Sequence, residues 1–177
     1  MADMLQTERL DLREFTVADF DAVHAYASDP LVTRYTSFGP NTFEQTQDFL
    51  TRTIQGYAES PRRSHVFGIV DRDSATLFGS CGIEACDDTR SHYTFGYCLH
   101  RDWWGSGYGS EAATALVEFG FEQLEAHRLW AKVFIGNVAS ARILEGLGFR
   151  QEGIALQSLY VRNAWHDIIT YARLGSE

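Results

Sequence analysis

Trp103-Trp104-Gly105-Ser106-Gly107-Tyr108-Gly109-Ser110-Glu111-Ala112 is the stretch that decides how this chain is read. It joins an apolar, strand-like run, Phe95-Gly96-Tyr97-Cys98-Leu99, to a long amphipathic one. Three glycines at alternate positions let the backbone turn tightly and its N–H groups converge. Downstream, Ala113, Leu116, Val117, Gly120, Phe121 and Leu124 recur at the spacing of a helix stripe. A glycine loop opening a helix gathers the unpaired N–H groups of the first turn at the positive end of the dipole. Such a place suits a phosphate or pyrophosphate. The same glycines also fit a strand-to-helix turn selected for sterics alone.

Two phosphate loops do not match. A P-loop needs lysine after its last glycine, and Lys132, the only lysine, lies elsewhere. The dinucleotide fingerprint needs G-x-G-x-x-G in a βαβ unit with an acid further on. Here the spacing is G-x-G-x-G, and no acid follows at the expected distance.

One strand further on stands Asn137-Val138-Ala139-Ser140-Ala141-Arg142-Ile143-Leu144-Glu145-Gly146-Leu147-Gly148-Phe149. Together, W-G-x-G-Y-G-x-E-A and N-x-x-S followed by L-G-F resemble the GNAT N-acetyltransferases. The RimJ/RimL-like branch, which acetylates ribosomal-protein N-termini and other amines, is the most similar. The start, Thr7-Glu8-Arg9-Leu10-Asp11-Leu12-Arg13, and the end, Trp165 to Leu174, also resemble that branch, so the resemblance spans nearly the whole chain.

Composition bounds the same reading. At 177 residues the chain suits one domain, 1–177, with a sizeable core. An apolar content of 45% fits a globular fold. No run is long enough to span a membrane and no signal segment opens the chain, so a cytoplasmic protein is expected. Cys81, Cys86 and Cys98 are odd in number and lack C-x-x-C spacing, which supports neither a disulfide framework nor a zinc site. No two of the six histidines stand at i, i+4, and no metal is expected. A formal net charge of -9 disfavours nucleic acid and anionic membrane and attracts a cationic amine. The protein is expected to be a monomer or homodimer.

Along the chain, Arg9 to Phe15 alternates as a first strand, with Leu10 and Leu12 on one face. Thr16 caps a helix from Val17 to Asp29-Pro30. Thr42 and Gln45 form the capping box of a second helix. His65 to Val70, Thr76 to Ala85 and His92 to His100 read as strands. The long helix follows the glycine loop, then a strand at Leu129 to Ile135. Asn137 opens a shorter helix that ends at Gly146 or Gly148. Phe149 to Leu156 and Trp165 to Leu174 make a last antiparallel pair. The fold class is α+β, a mixed, largely antiparallel central sheet flanked by helices. The resemblance adds a splayed parallel pair, His92–His100 and Leu129–Ile135, holding acetyl-coenzyme A.

The resemblance also assigns roles. Trp104, Gly105, Ser106, Gly107, Tyr108 and Gly109 would cradle the pyrophosphate, with Trp104 where the family carries Gln or Arg. Arg101 is a candidate replacement for that lost charge. Tyr97, Cys98 and Leu99 would offer strand N–H and C=O groups to the pantetheine amides. An apolar strand does not lower the Cys98 pKa, so a buried structural thiol is expected there. Asn137 would cap its helix and contact the pantetheine arm. The family's tyrosine acid is replaced by Leu144, leaving Ser140 as the hydroxyl near the thioester sulfur. Arg34, Tyr35 and Phe38 are candidates for the acceptor wall. Tyr160 aligns with a tyrosine of the last hairpin, but Leu159 stands where the ribosomal enzymes carry a glutamate base. Glu84 and His92 are the remaining base candidates. The expected activity is acetyl transfer to a primary amine, on a protein N-terminus or a small molecule, by direct attack in a ternary complex. The alternative is a coenzyme A sensor or interaction module without a working base.

Overall fold

A computed structural model describes residues 4–89 and 91–176; positions 1–3, 90 and 177 of the expected single domain lie outside the described residues. Its strands are β1 (Met4–Gln6), β2 (Leu10–Arg13), β3 (Ser64–Asp71), β4 (Leu77–Ala85), β5 (His92–Leu99), β6 (Arg128–Phe134), β7 (Arg150–Val161) and β8 (Ala164–Leu174). The helices are α1 (Phe20–Ala27), α2 (Phe43–Gly56), α3 (Tyr108–Glu118) and α4 (Val138–Gly146). The strands form one 8-stranded sheet in the order β1-β2-β3-β4-β5-β6-β8-β7. β5 and β6 are parallel, whereas the other neighbours run antiparallel.

The two-residue period of a strand builds two cores, one on each face of the sheet. Leu10, Leu12, Phe67, Ile69, Ile83, Tyr93, Phe95 and Leu129 pack with Ala112, Leu116 and Val117 of α3. On the opposite face Phe15, Val70, Leu77 and Cys98 pack with Val23 and Tyr26 of α1 and Leu50 of α2. Thr42 caps α2 as expected: Gln45 N–H donates to Thr42 Oγ1 at 3.3 Å, and Thr42 N–H to Gln45 Oε1 at 2.8 Å.

Four differences from the sequence reading have physical causes. β1 has only three residues, too few to display a period. α1 begins at Phe20, after a 3₁₀ turn at Val17–Asp19. Asp19 holds that turn, accepting from Thr16 N–H at 2.7 Å and from the Arg13 guanidinium at 2.7 and 2.8 Å. After Glu118 the long helix widens into a π turn, Phe119–Gln123. Gly120 lies there against the sheet; a Cβ would meet an Ile83 methyl at 2.8 Å and Leu129 methyls at 3.0 Å. β7 continues past Leu156 to Val161 across a bulge. Gln157 sits in the bulge at φ 47° and donates its N–H to Asp167 Oδ1 at 2.7 Å. Among the described residues no helix is long and apolar enough to cross a membrane.

Candidate active site

β5 and β6 pair only at His92–Arg128, Tyr93–Leu129 and Thr94–Trp130. Beyond that point β5 stays with β4 as far as Leu99, and β6 stays with β8 as far as Phe134. The sheet therefore opens into a V. An antiparallel ladder alternates its bonded pairs. His100 N–H donates to Phe78 O of the β4 segment at 2.7 Å. In the same register Cys98 also faces β4, whereas the N–H and C=O of Tyr97 and Leu99 face the gap. The expectation for three consecutive residues is corrected: Cys98 spends its backbone groups within the sheet. The Leu99 carbonyl is engaged as well, accepting from Trp104 Nε1 at 2.9 Å.

The open end of the V meets the glycine loop. Gly105 and Gly107 have φ of 77° and 84°, a region that side chains rarely adopt. Trp103 stacks on Phe78 with ring centroids 4.1 Å apart, pinning the loop's start to the sheet. The first bond into α3 runs from Glu111 N–H to Gly107 O at 3.0 Å. The N–H groups of Tyr108, Gly109 and Ser110 thus have no partner within the helix. Gly109 faces the Tyr97 ring and Ile143: a Cβ there would stand in ordinary contact with both, at 3.4 and 3.5 Å.

A cavity of about 570 Å³ fills the V. Its walls are residues 97–99, most of the glycine loop, Asn137, Ala139, Ser140 and Ile143, and residues 31–32 and 34–36. Asn137 Oδ1 accepts from Ser140 N–H at 3.3 Å and so caps α4. The Tyr97 hydroxyl donates to Ser140 Oγ at 3.4 Å. Burial pushes the Tyr97 hydroxyl above its ordinary pKa, with the Ser140 bond opposing. Burial also pushes the Cys98 thiol up to about 12, so at neutral pH it is a packed, protonated group.

This geometry has a counterpart among known proteins. Residues 9–150 match the model of the GNAT acetyltransferase domain. The chain belongs to the GNAT acetyltransferase family. Its GNAT relatives include the uncharacterised N-acetyltransferase p20 of Bacillus licheniformis, 31% identical over 99% of this chain and 98% of its own. A solved GNAT-family acetyltransferase from Bacillus anthracis is 29% identical, with a TM-score of 0.86 over 99% of this chain and 100% of its own. The [ribosomal protein uS5]-alanine N-acetyltransferase of Escherichia coli is 29% identical over 60% of this chain and 55% of its own.

The fold brings together most, though not all, of the residues singled out for this GNAT site. Tyr97, Cys98, Leu99, Trp104, Gly105, Gly107, Tyr108, Gly109, Asn137 and Ser140 share the cavity with Arg34 and Tyr35. Ser106 does not line it, because its carbonyl turns away to accept from Arg9 Nη1 at 3.0 Å. Phe38 falls in a neighbouring cavity of about 450 Å³ with Asp48, Arg52 and Arg162. Tyr160 is exposed near the hairpin turn, its ring 5.1 Å from that of Trp165. Glu84 is an exposed residue of β4 opposite Thr94, before the strands part, and does not line the cavity. His92 likewise lies outside it, with Nδ1 3.7 Å from Asp87. Arg101 turns its Nε to Asp29 at 3.3 Å.

Two arginines escaped the sequence reading. Arg162, in the turn between β7 and β8, donates to the carbonyls of Arg34, Thr36, Phe38 and Gly39 at 2.8–3.3 Å. It ties segment 34–39, whose residues 34–36 wall the cavity, to the last hairpin. Nothing local to Arg162 signals this, since carbonyl acceptors leave no mark in a sequence. Arg9 grips the glycine loop, and only its place in the Thr7–Arg13 motif hinted at a role.

Proposed function

We propose that this GNAT protein transfers an acetyl group from acetyl-coenzyme A to a primary amine, in the cytoplasm. The observation that carries this reading is the V between β5 and β6, closed at its open end by the glycine-bounded start of α3. The residues fit the cosubstrate. Unpartnered N–H groups at α3 would take the pyrophosphate, and the strand edge at Tyr97 and Leu99 would pair with the pantetheine amides. Bound there, acetyl-coenzyme A supplies an activated thioester. Strand N–H groups facing the gap would stabilise developing negative charge on a carbonyl oxygen. Ser140 Oγ accepts from Tyr97, which leaves its own proton to donate toward a departing sulfur.

The amine proton needs another route. Among the described residues no carboxylate or imidazole lines the cavity, and Glu84 and His92 both lie outside it. An acceptor that arrives neutral and loses its proton to solvent fits this wall. The relative named for the alanine of ribosomal protein uS5 supports a protein N-terminus as acceptor. A small amine fits the same chemistry.

The same bare wall favours a second reading, a coenzyme A-binding module without turnover. The two separate in one assay: thiol release and N-acetyl product with peptide N-termini, polyamines and free amino acids. Product matching thiol release, with a rate rising with pH as the amine deprotonates, is expected. Coenzyme A binding without turnover across the panel would establish the module instead. Product on hydroxyl acceptors alone would remove the N-acetyltransferase reading.

A further inference from the structure

Arg9 precedes β2, far in sequence from the glycine loop, yet its guanidinium is built into that loop. Nη1 donates to Ser106 O at 3.0 Å, and Nε and Nη2 both reach Glu111 Oε2 at 2.7 Å. The Arg9 backbone N–H donates to Glu111 Oε1 at 2.9 Å, and Thr7 Oγ1 reaches the same oxygen. The guanidinium also covers the Tyr108 ring at 4.2 Å. Its Nη2 lies 3.4 Å from where a Cβ on Gly107 would stand.

These contacts resolve a conflict in the sequence. Glu111 lies in the first turn of α3, where a carboxylate favours the helix dipole but repels an incoming anion. In a chain of net charge -9 that repulsion has little to offset it. Arg9 cancels the Glu111 charge through a two-pronged contact. It also holds the Ser106 carbonyl outward, so that a negative dipole does not enter the cradle. Lysine, a single point donor, cannot reach both groups with the geometry of a planar fork.

We propose that Arg9 is the positioning residue of the pyrophosphate loop, neutralising Glu111 and orienting the 106–110 backbone so that its N–H groups face the anion. The inference rests on the coenzyme A reading of this site. The test is calorimetric titration with coenzyme A of the wild type, R9Q, R9K, E111Q and R9Q/E111Q, each with its melting temperature. R9Q is expected to weaken binding by about tenfold or more, the scale of a lost charge-assisted contact. R9K should fall between R9Q and wild type, and it carries the test if R9Q does not fold. The double variant decides the mechanism. Removing the stranded carboxylate should recover much of the affinity lost in R9Q. A purely structural latch predicts the opposite, because losing Glu111 also loosens Thr7 and the Arg9 backbone. Equal affinity in a folded R9Q and wild type, or a double variant weaker than R9Q, would overturn the proposal. A wild type that does not bind coenzyme A would instead overturn the functional reading itself.

Discussion

At the residue scale, two hydroxyls meet where one was expected. Leu144, at the helix position where the resemblance implies a tyrosine, is buried in the core. Tyr97 brings a phenol to Ser140 from the strand instead, at 3.4 Å. Burial holds the Tyr97 phenol above its ordinary pKa, so at neutral pH it is a protonated donor to Ser140. Tyr97 then works through Ser140, and the two should not act independently. S140A is expected to lower kcat about tenfold with the acetyl-coenzyme A KM nearly unchanged, as for a contact made in the transition state. Y97F should lower kcat by a smaller factor, and Y97F/S140A should be no worse than S140A alone. Steady-state kinetics of the three variants, with chemistry shown to limit the rate, make the check. Multiplying defects would show that Tyr97 has a separate task.

At the scale of elements, the start of each site helix carries a distinct device. α3 begins on Gly107 at φ 84°, with no side chain capping it. A branched residue there is strained in the backbone and meets Arg9 Nη2 at 3.4 Å. Gly107→Val is therefore expected to weaken coenzyme A binding about tenfold or more, about the scale of one lost anion contact. Unchanged affinity in a folded variant would free the loop from this role. α4 begins on Asn137, whose Oδ1 accepts from Ser140 N–H. Asn137→Ala should cost about 1 kcal/mol of stability, the usual worth of a cap. Asn137→Asp keeps the capping oxygen but not the amide N–H₂. It should recover stability; if it fails to recover coenzyme A affinity, the amide contacts the ligand.

At the scale of the whole molecule, charge sets two behaviours. Burial alone would raise the carboxyl pKa of Glu111, but bonds from Thr7 and Arg9 together hold it below its ordinary value. Asp19 follows the same pattern, with burial opposed by Arg13 and Thr16. A carboxylate depressed in the folded state adds stability that is fully present above its unfolded pKa, about 4. That stability drains as pH falls through the folded value. Acid denaturation monitored by circular dichroism should therefore begin below about pH 4.5, and E111Q should flatten part of the slope. A slope unchanged in E111Q would remove Glu111 from the account. The net charge of -9 also predicts that kcat/KM for cationic acceptors falls with added salt, more than for neutral ones. Equal salt profiles would rule out long-range steering.

Local chemistry made much of this protein legible from its sequence. Alternation at Leu10 and Leu12, the Thr42–Gln45 capping box and the glycine triplet before an apolar stripe act within a few residues, so they mark their own elements. Among the described residues, seven of the eight strands and the four helices stand where such local signals put them, and the glycine loop stands between β5 and α3. What the sequence could not settle depends on partners distant along the chain. The family resemblance, not local chemistry, supplied the splayed pair, and the point where β5 parts from β6, after Thr94 and Trp130, is a matter of which neighbour each strand keeps. The same register turned the Cys98 backbone groups toward β4 and left those of Tyr97 and Leu99 facing the gap. Glu84 matched a base by residue type, but its position opposite Thr94 leaves it outside the cavity. Arg9 and Arg162 acquire their tasks only when the fold presents them with carbonyls and a carboxylate from remote segments. Period and capping are local properties, which a sequence encodes directly; a guanidinium's partners are chosen by packing, and only the tertiary structure decides them.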